Sequence, residues 1–212
     1  MSHITAITEQ KRRPNRRSVF IDSEFAFGCS VNVVARFRLR TGMPIDATLR
    51  RQIEEGQLRQ EAMDDAMRLI ARRMQSEREL RTKLSRKDHG PVVVDAVLSE
   101  LKRLGYVDDE QFARNRAAEQ ARVKKHGKQR ALQELIRAGV GRPMAERAVA
   151  EVYRDVDPRS AAVDVAAKKA TSLARLDPLV ARRRLTGFLQ RRGFDYDTIQ
   201  FAVQRALGKP EA

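Results

Sequence analysis

Ser76-Glu-Arg-Glu-Leu80-Arg-Thr-Lys-Leu84, Gly127-Lys-Gln-Arg-Ala131-Leu-Gln-Glu-Leu135 and Ala181-Arg-Arg-Arg-Leu185-Thr-Gly-Phe-Leu189 are one pattern written three times. Each holds an i, i+4 apolar pair. Ten residues later each is followed by an i, i+3, i+4, i+7 stripe: Val94, Val97, Leu98, Leu101; Ala145, Ala148, Val149, Val152; Ile199, Ala202, Val203, Ala206. Both spacings are helical. The last apolar residues of the pairs lie 51 and 54 residues apart. Self-similarity at such a period is the mark of a repeat architecture. A longer helical pattern precedes each pair, over about 58–74, 108–125 and 158–175. The reading is three copies of a three-helix unit over 57–106, 107–156 and 157–207, with a tail at 208–212.

Local signals agree. Ser76 and Glu79 form a capping box. Pro91, Pro143 and Pro158 sit where a first helical turn tolerates proline, and Asp157-Pro158 and Asp177-Pro178 read as N-cap plus N1. Gly127, Gly139 and Gly193 are candidate helix stops. Upstream, Val19-Phe20-Ile21 and Phe25-Ala26-Phe27 flank the polar pair Asp22-Ser23 and predict a hairpin. Ser30 and Asp46 then cap short helices over about 31–38 and 47–55. This gives a small β-hairpin-plus-helix module at 17–56, preceded by a basic flexible arm at 1–16. The expected fold class is mainly α: an elongated, curved tandem array of three repeats behind that module.

Composition bounds the chemistry. The chain has 212 residues and a net charge of +15. Hydrophobic residues make up 42% and charged residues 33%, which favours several thin cores over one deep one. Charge so positive points to a polyanionic or acidic partner. The excess is +5 over 1–60 and +5 over 157–212, against +2 and +3 in the middle. The single cysteine, Cys29, excludes an intramolecular disulfide framework and a Cys-rich zinc site. It reads as a buried structural thiol in a reducing compartment. No apolar run reaches 18 residues and no secretory signal is recognisable, so a soluble, cytoplasmic protein is expected.

No catalytic constellation stands out. Asp108-Asp109-Glu110 is the densest acidic cluster, and it reads as a helix start in which Asp108 caps and Gln111 completes the box. Neither a phosphate-binding loop nor a dinucleotide fingerprint is present. A protein that is not an enzyme and needs no cofactor is expected. The candidate binding residues are two basic clusters. Arg182, Arg183, Arg184, Arg191 and Arg192 lie on one predicted helix, with Arg184 and Arg191 on the same face. Lys124, Lys125, Lys128 and Arg130 bracket Gly127 at a turn. A guanidinium row can grip phosphates or carboxylates. A solvated face is the plainer use of such a run, and lysines at a helix end offset its dipole. The aromatic residues Tyr106, Phe112, Tyr153, Phe188 and Phe194 read as packing anchors.

Leu104-Gly-Tyr-Val-Asp-Asp-Glu-Gln-Phe-Ala-Arg114, the Ser76–Leu84 motif preceded by Ala71-Arg72-Arg73, and Phe188-Leu-Gln-Arg-Arg-Gly-Phe-Asp-Tyr196 together resemble the RecX regulatory family over about residues 60–207. The hairpin near Phe20–Gly28 is similar to an N-terminal extension of some members. Asp88-His89 stands where the family usually has Gly-Phe, and Arg116 and His126 where it often has aromatic residues. The resemblance implies tandem three-helix repeats and binding to the RecA recombinase. It further implies lodging in the groove of the RecA–DNA filament, restraint of its ATPase and strand exchange in recombination and DNA repair, and in some members direct contact with single- or double-stranded DNA. From the residues themselves no metal is expected. A monomer is expected. The competing reading is a tandem helix-turn-helix protein acting on bare DNA.

Overall fold

The structure is a computed structural model and describes residues 2–208. The tail expected at 208–212 therefore lies, but for Gly208, outside the described residues. The chain divides into two compact units. One comprises residues 1–75 with 80–107, and the other 76–79 with 108–212.

The first unit opens on a four-stranded sheet of order β3-β2-β1-β4, with β1 Ser2–Gln10, β2 Arg13–Ile21, β3 Glu24–Ser30 and β4 Pro44–Ile45. The expected hairpin is β2–β3. Its two turn residues, Asp22 and Ser23, both have positive φ (50° and 71°), as a tight turn matching the strand twist requires. Residues 1–16 were expected to form a flexible arm, and here the structure differs. Ser2–Gln10 is a full strand, and Arg13–Arg16 begins β2. Ile4 is fully buried and pairs with Ile21, so apolar burial outweighs the polar composition of this segment.

Helix α1 (Val31–Arg36) is capped by the Ser30 hydroxyl, which accepts the Val33 N–H. Asp46 likewise accepts the Leu49 N–H at 2.7 Å and starts α2. That helix runs unbroken over Ala47–Arg72, where two helices with a boundary near 56 were expected. Gly56 does not stop it; a Cβ there would lie 2.7 Å from the Phe37 ring, so the missing side chain admits Phe37. The module core is Ile4, Val19, Cys29, Val33, Leu39, Ile45 and Ile53, with Cys29 buried as expected.

The C-terminal part of α2, α3 (Glu77–Ser85) and α4 (Pro91–Arg103) form the first repeat. Its core joins Ala62 and Ala66 to Leu80, Leu84 and the Val94–Leu101 stripe. The second unit holds the other two repeats. One comprises α5 (Asp109–Ala118), a π-helical turn (Glu119–Val123), α6 (Lys128–Arg137) and α7 (Arg142–Val152). The other comprises α8 (Pro158–Thr171), α9 (Pro178–Arg191) and α10 (Tyr196–Leu207). Each repeat has a separate apolar cluster, so the thin-core reading of composition holds.

One backbone device recurs in all three repeats. After the middle helix a residue takes a left-handed conformation: Asp88 (φ 62°), Gly139 (φ 92°), Gly193 (φ 82°). The next amide then donates back to the carbonyl of the last apolar residue, His89 to Leu84, Val140 to Leu135 and Phe194 to Leu189. This is a helix C-terminal motif in which the left-handed position favours glycine. The side chain that follows turns inward: Val140 and Phe194 are buried, and His89 reaches Asp65 with Nε2 2.9 Å from Oδ2. The Asp-His departure thus exchanges an apolar plug for a polar contact at the same place.

Candidate nucleic-acid interface

Both predicted basic clusters lie in the second unit, and part of each meets the other. Helix α9 is fixed by the Asp177 carboxylate, which accepts the Leu179 and Val180 N–H groups. It buries Ala181, Leu185 and Leu189. Residues at its C-terminus then reach the turn before α6. The Gly127 N–H donates to the Arg192 carbonyl at 2.8 Å, and Arg192 Nη1 donates to the Lys124 carbonyl at 2.7 Å. The Arg192 guanidinium also stacks over Phe188, 5.0 Å from the ring centroid. Gly127 is therefore not a helix stop. It precedes α6 in extended backbone (φ −73°), and a Cβ there would collide with the Gly193 carbonyl.

The remaining cations divide by whether they are neutralised. Lys124 pairs with Glu119 at 3.1 Å, Lys125 with Asp164, and Arg130 with Glu134 at 2.7 Å. Arg182 donates to the Gly208 carbonyl at 2.7 Å. Arg183, Arg184, Arg191 and Lys128 are exposed and have no ion-pair partner among the described residues. On α9 the spacing aligns Val180, Arg184 and Arg191 along one face, with Leu179 and Arg183 beside it. Leu179 is 74% exposed. The available surface is thus a helix face that is apolar at its start and cationic toward its end.

Behind the Lys124 turn lies a polar cluster that the sequence did not reveal. His126 Nδ1 is 2.8 Å from Gln120 Oε1, and the Tyr153 hydroxyl donates to the His126 carbonyl at 2.7 Å. Burial, reinforced by the Arg192, Arg130 and Lys124 charges, pushes the His126 pKa down. Burial pushes the Tyr153 phenol up to about 12. Gln120 is fully buried on the π-helical turn, and its Nε2 has no partner among the described residues. Gln120 follows the buried Ala113 and Ala117 at i+7 and i+3, so helical spacing places it inward and only its polarity hid it.

The acidic cluster is structural. Asp108 caps α5 by accepting the Gln111 N–H at 2.9 Å, as expected, while Asp109 accepts the Glu77 N–H at 2.9 Å. Ser76 accepts the Glu79 N–H at 3.1 Å, the forward half of the capping box. Among the described residues no group of His, Cys, Asp and Glu is arranged to hold a metal ion. No described helix is long and apolar enough to cross a membrane.

Sequence profiles of known families match this architecture piece by piece. The RecX N-terminal domain matches residues 2–46, and the first, second and third RecX three-helix domains match 62–101, 108–149 and 156–203. Regulatory protein RecX of Clostridium acetobutylicum is 27% identical over 199 residues, covering 92% of each chain. That of Clostridioides difficile is 26% identical over 211 residues, covering 100% of this chain and 99% of that one. Among solved structures, a crystal structure of regulatory protein RecX has a TM-score of 0.73 at 20% identity, covering 95% of this chain and 98% of that one. RecX from Lactobacillus salivarius has a TM-score of 0.59 at 18% identity, covering 70% and 96%. At those identities the structural likenesses speak to the fold. With four domains matched in order and the matched relatives aligned along nearly the whole chain, this protein belongs to the RecX family of regulatory proteins.

Proposed function

We propose that the chain is a non-catalytic regulator of the RecA recombinase that docks in the groove of the RecA–DNA filament and restrains ATP hydrolysis and strand exchange. It acts as a cytoplasmic monomer in this reading. The observation that carries the reading is the α9 face, where Arg183, Arg184 and Arg191 stand exposed without ion-pair partners among the described residues. Guanidinium groups free of internal carboxylates keep their forks for phosphates or for a partner's acids. The exposed Leu179 at the start of the helix suits a protein neighbour, so one face offers contacts to both components of a protein-coated nucleic acid.

The third repeat argues against sequence reading on bare duplex. In a helix-turn-helix the second helix presents its N-terminal residues to base edges. In the last two helices of this repeat that helix is α10, whose first turn offers the exposed Tyr196 and the acidic Asp197 and no cation. The test is Arg184→Glu combined with Arg191→Glu. Inhibition of RecA ATPase on single-stranded DNA should weaken by an order of magnitude or more while helicity is retained. Undiminished inhibition in a folded double variant would move the contact surface off α9.

A further inference from the structure

The first unit carries a second cationic feature, remote in sequence from α9 and unused by the reading above. Strand β3 pairs with β2 only from Arg16 to Ile21, and β4 pairs with β1 only at Ser2 and His3. The end of the β1–β2 hairpin, residues 10–15, therefore runs beyond both neighbours. Between the pairs Glu9–Arg17 and Gln10–Arg13 the register shifts, so Pro14, Asn15 and Arg16 bulge from β2. A bulge of this kind bends a strand and re-aims its end. The bend is held, since Arg17 Nη1 donates to the Pro14 carbonyl at 2.6 Å.

At this tip Lys11, Arg12 and Arg13 are consecutive and exposed, and none has an ion-pair partner among the described residues. Three other cations near its base are neutralised. Arg16 bonds Glu61 at 2.7 Å, and Lys87 and Arg68 bond Asp65. The unit's own carboxylates thus leave the tip charge unspent. We propose that this bulged hairpin tip is a DNA contact that grips the phosphate backbone of duplex DNA without reading its sequence. Residues 8–17 contain no aromatic side chain, so the tip has no platform on which single-stranded bases could stack. A duplex presents one charge per about 1.7 Å of axis, and counterion release per contact is larger there than on a single strand. A compact triplet of cations gains most from that dense line of charge.

The test uses the full chain and DNA alone, so it is independent of RecA. Binding to a duplex and to a single strand of equal length is measured by fluorescence anisotropy between 50 and 200 mM salt. Each phosphate contact contributes about 0.9 to the duplex log–log salt slope. Arg12→Ala should lower that slope by about 0.9, and Lys11→Ala/Arg12→Ala/Arg13→Ala by about 2.7. The advantage of the wild-type chain over the triple variant should then shrink about 40-fold across the series. The exchanges Lys11→Arg, Arg12→Lys and Arg13→Lys together should restore the slope. An unchanged duplex slope in both alanine variants overturns the proposal. So does an equal loss on the single strand, or failure of the charge-conserving variant to restore binding.

Discussion

Gly127→Ala tests the junction that brings the two basic clusters together. The wild-type backbone there (φ −73°, ψ 165°) is open to any residue. The substitution therefore adds no conformational strain, and its cost comes from space and bonding. The new Cβ would collide with the Gly193 carbonyl. Relief requires moving the end of α9 away, which stretches the 2.8 Å Gly127–Arg192 hydrogen bond. Overpacking costs about 1–3 kcal/mol, and a weakened hydrogen bond adds about 0.5–1.5, so a loss of roughly 2–4 kcal/mol is expected. A matched control exists. Gly141 also precedes a helix (φ −59°), and a Cβ there meets nothing within 4 Å. Gly141→Ala should cost under about 1 kcal/mol. Urea unfolding followed by far-ultraviolet circular dichroism reads the difference. Equal destabilisation by the two variants would refute the close approach at Gly127.

Other consequences follow from named residues. Asp88 holds a left-handed conformation that glycine occupies in the other repeats, so Asp88→Gly should stabilise the chain by about 1 kcal/mol in the same urea assay. Burial would raise the Asp65 carboxyl, but bonds from Lys87, His89 and Arg68 outweigh it and hold the group well below the usual range. Its stabilisation is full above about pH 4 and is lost as pH falls further. Asp65→Asn should therefore destabilise by about 1.5–3 kcal/mol at pH 7 and match the wild type progressively below pH 4. His126 has a depressed folded pKa, so the unfolded chain takes up its proton first. Stability of the second unit should be full above about pH 6.5 and decline as pH drops through that value, and His126→Phe should flatten the decline in a pH series of thermal midpoints.

The repeats were legible because their information is local. Leu80/Leu84, Ala131/Leu135 and Leu185/Leu189 mark the same helix face, and Asp46, Asp108, Asp157 and Asp177 cap the helices where their spacing placed them. Strand β1 was not legible. Its stabilising partners are Ile21 and Val19, more than ten residues away, and the basic run at its end resembles a disordered arm. The unbroken α2 was hidden because Gly56 reads as a breaker until Phe37 is seen against it. The candidate surface was legible as charge but not as available charge. Lys125 meets Asp164 and Arg192 meets the Lys124 carbonyl across long sequence separations. Only the folded chain distinguishes them from Arg183, Arg184 and Arg191.

The measurement that bears most directly on the account is RecA ATP hydrolysis on single-stranded DNA, titrated with the full chain across a salt series beside direct DNA binding at the same salts. Inhibition at sub-stoichiometric chain is expected to persist at salt concentrations where binding to bare DNA has fallen away. Undiminished hydrolysis at saturating chain, or inhibition that tracks bare-DNA binding at every salt, would contradict it.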